Sequence, residues 1–178
     1  MIDLYTWTTP NGRKVSILLE ELGVPYNSIS VNIGQDDQFK PEFLAIAPNN
    51  KIPAIVDHET GVQMMETGAI MLYLAEKYDR FLGSGNDRLK AIEWLMWQMG
   101  GLGPMAGQTH HFVKFNKGTS EYAGRSAIRT YHCFKSGNSF RSISCHSNRL
   151  IHGQHAISAI VYSPVMKSRP FRRSFNTR

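Results

Sequence analysis

The sequence predicts an α/β layer followed by an all-α segment, and three observations carry that prediction. Over residues 1–82, short β-prone runs alternate with apolar stripes of helical spacing in the order β-α-β, linker, β-β-α. From residue 87 to 123 the pattern is wholly helical. From 124 to 178 neither period is sustained, and Gly137, Gly153, Pro164 and Pro170 interrupt what pattern there is. The first unit fits a mixed sheet with helices on both faces.

Taken in order, Ile2 to Trp7 is a β-prone run that stops at Thr8-Thr9-Pro10-Asn11-Gly12. Val15, Leu18, Leu19 and Leu22 then recur at i, i+3, i+4, i+7 as the buried stripe of a helix, which Gly23-Val24-Pro25 ends. Ile29, Val31 and Ile33 alternate with polar residues and predict a strand with one buried face. A short helical turn is expected over Pro41 to Ile46. Ala54-Ile55-Val56 and Val62 to Met65 flank Asp57-His58-Glu59-Thr60-Gly61 and predict a hairpin. Ile70, Leu74 and Tyr78, with Met71 and Ala75, line the next helix. Gly83 to Asn86 reads as a linker, with Asn86 or Asp87 capping a helix whose stripe is Leu89, Ile92, Met96 and Met99. Trp94, Leu95 and Trp97 make that helix apolar nearly all round, so it needs cover from further helices or a second subunit.

Charge divides the chain at the same place as periodicity. Residues 1–123 carry 10 basic and 14 acidic residues, whereas 124–178 carry 10 basic and no acidic ones. The overall net charge of +6 therefore belongs to the end of the chain, where it implies nonspecific attraction to anions and no specific nucleic-acid site. Met1-Ile2-Asp3 lacks a positive leader and no apolar run approaches bilayer length, so no membrane association and a cytoplasmic protein are expected. Cys133 and Cys145 are the only cysteines and support neither a disulfide framework nor a zinc finger.

Three polar corners carry the candidate chemistry. Asn11 and Thr9 sit where the first helix begins, with Pro10 preset for a helix start, so an amide, a hydroxyl and free backbone donors converge on an anion such as a thiolate. Ordinary helix capping would use the same residue types. In Pro48-Asn49-Asn50-Lys51-Ile52-Pro53, the Ile52-Pro53 bond is a candidate cis peptide that would turn the backbone of Ile52 toward an extended peptide. Lys51 beside it could meet a carboxylate. Glu66-Thr67 offers a carboxylate for an ammonium group, and a backbone donor with a hydroxyl for a carboxylate, matching the amino-acid end of a γ-glutamyl peptide. A helix cap is again the alternative. Gln38 could reach the same groove.

Other signals fail their context. Met99 to Gly107 is glycine-rich but follows a helix and not a strand, which excludes a dinucleotide loop; close packing or a kink at Pro104 explains it better. His110 and His111 are adjacent, so on a helix they diverge and cannot chelate one metal; no metal is expected.

These corners, with Gln38-Phe39-Lys40-Pro41-Glu42-Phe43 and the run from Trp94 to Phe112, resemble the bacterial nu-class glutathione transferases over about residues 1–123. The resemblance implies a thioredoxin-like N-terminal domain (1–82), the start of a helical domain (87–123), and a homodimer if that helical domain folds. It implies glutathione as cosubstrate and reduction of disulfides, with some transferase activity on electrophiles or peroxidase activity. It places Thr9 and Asn11 by the glutathione sulfur, and Gln38, Lys51, Ile52, Glu66 and Thr67 along the peptide, with Thr67 standing where serine is more usual. Family members continue with amphipathic helices and a glutathione-binding arginine, none of which is recognisable after Ala123, and Arg125 and Arg129 lack matching surroundings. An out-of-frame or otherwise altered end would produce the loss of acidic residues and periodicity over 124–178. Without the later helices, about 1000 Å² of apolar surface left wet at roughly 25 cal/mol per Å² exceeds a typical net stability. A domain that holds glutathione without turnover, or an inactive truncated product, is the competing expectation.

Overall fold

A computed structural model describes residues 1–119 and Arg125. The expectations for the basic segment, including Cys133, Cys145 and Arg129, lie outside the described residues. Strand β1 (Ile2–Thr6) is followed by helix α1 (Pro10–Leu22), β2 (Tyr26–Ser30), two short 3-10 turns, α2 (Pro41–Leu44), the hairpin β3 (Ala54–Asp57) and β4 (Val62–Met65), and α3 (Thr67–Lys77). The four strands form one mixed sheet in the order β2-β1-β3-β4, with β1 parallel to β2 and antiparallel to β3. This is the expected thioredoxin-like arrangement.

Strand alternation sorts the core into two layers. Ile2, Leu4 and Ile55 face α1 and α3, whose Val15, Leu18, Leu19, Ile70, Met71 and Leu74 complete one buried cluster. The intervening residues Tyr5 and Ala54 face the other way, onto Phe43 of α2, Val31 and Ala47. Each fully buried Leu or Ile contributes about 1.5–3 kcal/mol, so this apolar patterning dominates the fold. Helix α1 ends where Gly23 turns left-handed (φ 71°) and Val24 N–H reaches back to Leu19 O at 3.2 Å.

Three readings of the sequence need correction. The strand expected through Ile33 stops at Ser30, because Asn32 caps a 3-10 turn through its side chain, leaving Ile33 exposed. The next helix, α4 (Gly85–Trp97), is preceded by Ser84 in place of Asn86 or Asp87, since the Ser84 carbonyl already takes the N–H of Asp87. Its buried line is also different: Ala91, Leu95, Gln98 and Leu102 are buried, while Leu89 and Met96 are exposed.

After α4 the helix continues through a π-turn at Gln98–Leu102 into α5 (Gly103–His110) and a second π-turn at His111–Phe115. The wide turn accommodates Pro104, which has no N–H to give to a carbonyl four residues back; Gly103 N–H bonds Gln98 O instead. Within the glycine-rich run, close packing falls at Gly103, where a Cβ would lie 2.9 Å from Gln98 Nε2, while Gly100, Gly101 and Gly107 face open space. A Cβ on Gly68 would lie 2.9 Å from Met99 Cγ, which shows how tightly the head of α3 abuts the helical segment.

The far end of the hairpin is tied down by charge. Asp57 is buried and accepts from Tyr73 Oη (2.6 Å), Lys77 Nζ (2.5 Å) and Glu59 N–H (3.0 Å). Burial alone would raise this carboxyl, but those donors outweigh it and hold it far below the usual carboxylate range.

Candidate functional site

Sheet register brings the separate corners to one end of the molecule. Tyr5 pairs with Ile29 on one side and Ala54 on the other, and Ala54 pairs with Met65, so these residues form a row across all four strands. Thr9 and Asn11 follow that row from β1, Gln38 follows it from β2, Lys51 and Ile52 precede it into β3, and Glu66 and Thr67 follow it from β4. The Asp57 network lies at the opposite end, where Asp57 faces Ile2.

At the first corner, Thr9 is the cap of α1: extended at φ −123°, it accepts from Gly12 N–H at 3.1 Å. Capping thus occupies the acceptor of the hydroxyl and leaves its proton for a ligand. Gly12 is required there, since a Cβ would stand 2.4 Å from Thr6 Oγ1 and Trp7 O. The exposed Asn11 gives its amide oxygen to Lys14 Nζ at 3.0 Å, so its NH2 group is the end turned to other partners. Lys14 is only 6% exposed, and desolvation lowers its pKa to about 8. Donors therefore dominate this corner, and the helix N-terminus adds to them.

The Ile52-Pro53 bond is cis, as the sequence suggested. Ile52 packs beside Phe43 and Ala54, and it lies two residues before Ala54, the first paired residue of β3. Lys51 is exposed, and no acidic side chain pairs with it among the described residues.

The third corner is held by the second. Glu66 precedes α3 with φ 73° and ψ 114°, a backbone conformation that L-residues avoid, and it makes no side-chain cap bond. Its carboxylate instead accepts from Asn49 Nδ2 at 2.8 Å. Thr67 is the buried first residue of α3, where helical N–H groups lack intrahelical acceptors. Gln38 donates to Asp36 Oδ1 at 3.3 Å within its own loop, and its Oε1 is buried without a partner.

Lys14 and Asn49 are the polar residues here that sequence reasoning missed. Lys14 could have been found, because it falls on the helix face of Val15, Leu18 and Leu22, where a lysine is out of place. Nothing local distinguishes Asn49, whose partner is 17 residues away. An open hollow of about 500 Å³ lined by Gly107, Gln108, His111 and Phe112 includes none of these residues. Among the described residues no group of His, Cys, Asp and Glu is arranged to hold a metal ion.

Residues 4–84 match the family model for the glutathione S-transferase N-terminal domain. A glutathione transferase from Pseudomonas putida, solved with one glutathione disulfide bound per subunit, superposes with a TM-score of 0.78 at 35% identity over 90% of this chain and 71% of its own. The chain belongs to the glutathione S-transferase family. A second family structure, from Pseudomonas fluorescens pf-5 with two glutathione bound, gives a TM-score of 0.73 at 43% identity over 78% of this chain and 64% of its own. Among curated relatives, disulfide-bond oxidoreductase YfcG of Escherichia coli (strain K12) is 51% identical over 129 residues, 69% of this chain and 60% of that protein. The chain spans between 46% and 60% of the length of the first curated relatives it matches.

Proposed function

We propose that this glutathione transferase-family chain uses glutathione to reduce disulfides, with Thr9 and Asn11 at the sulfur and Gln38, Lys51, Ile52, Glu66 and Thr67 along the peptide. The observation that carries the reading is that strand pairing brings Thr9, Asn11, Lys51, Ile52, Glu66 and Thr67 to one end of the sheet, beyond the Tyr5–Ala54–Met65 row. Glu66 carboxylate pairs the ligand's ammonium, Thr67 N–H and hydroxyl take its α-carboxylate, the backbone of Ile52 pairs with the extended peptide, and Lys51 meets the glycyl carboxylate. The sulfur then falls at the mouth of α1, where Thr9 hydroxyl, Asn11 NH2 and the helix N-terminus favour the thiolate.

The nucleophile is the ligand's own sulfur, since residues 1–119 contain no cysteine. A first glutathione thiolate attacks one sulfur of a substrate disulfide, forming a mixed disulfide and expelling a substrate thiolate. A second glutathione thiolate attacks the glutathione sulfur of that mixed disulfide, giving glutathione disulfide and the second substrate thiolate. The two protons lost by glutathione end on the two substrate thiols. The same thiolate would attack a soft electrophile or a peroxide, the transferase and peroxidase activities. A reducing compartment supplies the cosubstrate, which supports a cytoplasmic location; no helix among the described residues is long and apolar enough to cross a membrane. The exposed Leu89 (62%) and Met96 (48%) of α4 support a homodimer that covers this helix.

Calorimetric titration of the full chain with reduced glutathione, followed by a disulfide-reduction assay, tests the reading. Binding accompanied by turnover is the expected result. Binding without turnover would leave a glutathione-holding module, and no binding by a folded sample would refute the assignment.

A further inference from the structure

The geometry points to Lys14 as a positioning residue of the sulfur corner: its buried ammonium holds the Asn11 amide oxygen, presenting Asn11 NH2 to the glutathione sulfur and favouring the thiolate there. This rests on the proposed glutathione site. An ammonium can only donate, so the partner 3.0 Å from Lys14 Nζ must be the oxygen of Asn11. Were the amide to turn over, that oxygen would face an anionic sulfur and repel it. Lys14 therefore selects the orientation in which Asn11 helps.

The burial of Lys14 is otherwise unexplained. It is 6% exposed, and no acidic side chain pairs with it among the described residues. Lysine is rarely buried without a pair because its charge loses hydration. Among the described residues, the elements packed on α1 supply no compensation. On β1, Asp3 is bound to His58 and Asn27; on α3, Glu76 is bound to Arg88, and Lys77 is bound to Asp57 and Glu59. Of the acids on α1, Glu20 accepts from Tyr26 and Glu21 is exposed, and Glu66 at the head of α3 accepts from Asn49. The other titratable side chains on these elements are Arg13 on α1, Tyr5 on β1 and Tyr73 on α3, none of which brings negative charge at neutral pH. A thiolate at the mouth of α1 would be the anion that Lys14 lacks, and desolvation, which already lowers its pKa to about 8, would then be offset.

The test compares Lys14→Met and Lys14→Arg with the parent chain, using glutathione and S-methylglutathione, which has no ionisable sulfur. Lys14→Met is expected to bind S-methylglutathione as the parent does, while the thiol of bound glutathione titrates about one pH unit higher and turnover at neutral pH falls about tenfold. Lys14→Arg should restore most of both. In the parent chain itself, the Lys14 side-chain resonance should titrate higher with glutathione than with S-methylglutathione, because coupling between two charges is reciprocal. That second measurement decides the matter if Lys14→Met does not fold. A bound thiol that titrates alike in parent and Lys14→Met, or a Lys14 resonance indifferent to the ligand's sulfur, overturns the role of Lys14 and leaves the glutathione site standing. A folded parent chain that binds no glutathione overturns both.

Discussion

Replacing Glu66 separates the cost of its backbone from the use of its carboxylate. At φ 73° and ψ 114° a non-glycine residue is strained by about 1–3 kcal/mol, and glycine is not. Either Glu66→Gly or Glu66→Ala removes the exposed hydrogen bond from Asn49, worth about 0.5–1 kcal/mol. Glu66→Gly gains the relief of strain but adds about 0.5–1 kcal/mol of unfolded-state entropy, so its stability should lie between about 1 kcal/mol below and about 2 kcal/mol above the parent, and above that of Glu66→Ala. Glu66→Ala keeps the strain and should be about 1 kcal/mol less stable than the parent. Both lose the charge-assisted pair to the ligand's ammonium, about 1.5–3 kcal/mol, so glutathione affinity should fall roughly 10- to 150-fold in each. Urea denaturation of the free chains and calorimetric titration with glutathione measure the two effects. The reasoning fails if Glu66→Gly binds glutathione like the parent, or if Glu66→Ala proves as stable as Glu66→Gly.

Asn11→Ala should reduce turnover by about tenfold or more while glutathione affinity changes little, because a donor to the sulfur matters most when charge is on it; equal losses in steady-state rate and calorimetric affinity would contradict that placement. Gly12→Ala puts a Cβ 2.4 Å from Trp7 O, a backbone atom, and should cost about 1–3 kcal/mol and weaken glutathione binding by lifting α1 from β1. Gly68→Ala meets only the flexible Met99 Cγ at 2.9 Å, so the same denaturation assay should show a smaller loss, below about 1.5 kcal/mol. Asp57→Ala should cost about 3 kcal/mol by leaving Lys77 with its exposed partner Glu59 alone. Because the folded pKa of Asp57 is depressed from 3.8, its contribution is present above that value and lost as pH falls below it. The acid limb of the stability profile should therefore be shallower in Asp57→Ala. Lys77 is shifted upward from 10.5, so its contribution persists below that pH and is lost above it.

Much of the element order was legible because periodicity is a local property. The stripe Val15, Leu18, Leu19 and Leu22, the glycine stop after it and the hairpin around Gly61 each follow from a few neighbouring residues. Local patterns misled where two apolar faces competed. On α4 the stripe through Leu89 and Met96 is as regular as the line through Ala91 and Leu95, and only packing on the first unit selects the latter. The strand end was similar: the alternation of Ile29, Val31 and Ile33 continues past Ser30, but the Asn32 side chain bonds Gly34 N–H and turns the chain.

Residue type alone determined that polar groups suited to an anionic peptide cluster at the starts of α1 and α3 and before β3, since caps, turns and X-Pro bonds are written in neighbouring residues. Only the tertiary structure decided that these groups share one end of the sheet, because antiparallel pairing of β1 with β3 and of β3 with β4 sets which strand ends meet. It also decided that Asn49 holds Glu66 and that Lys14 is buried beside Asn11. Hydrogen bonds over long sequence separations and the loss of solvent around a charge depend on what packs nearby, and neither is encoded at any single position.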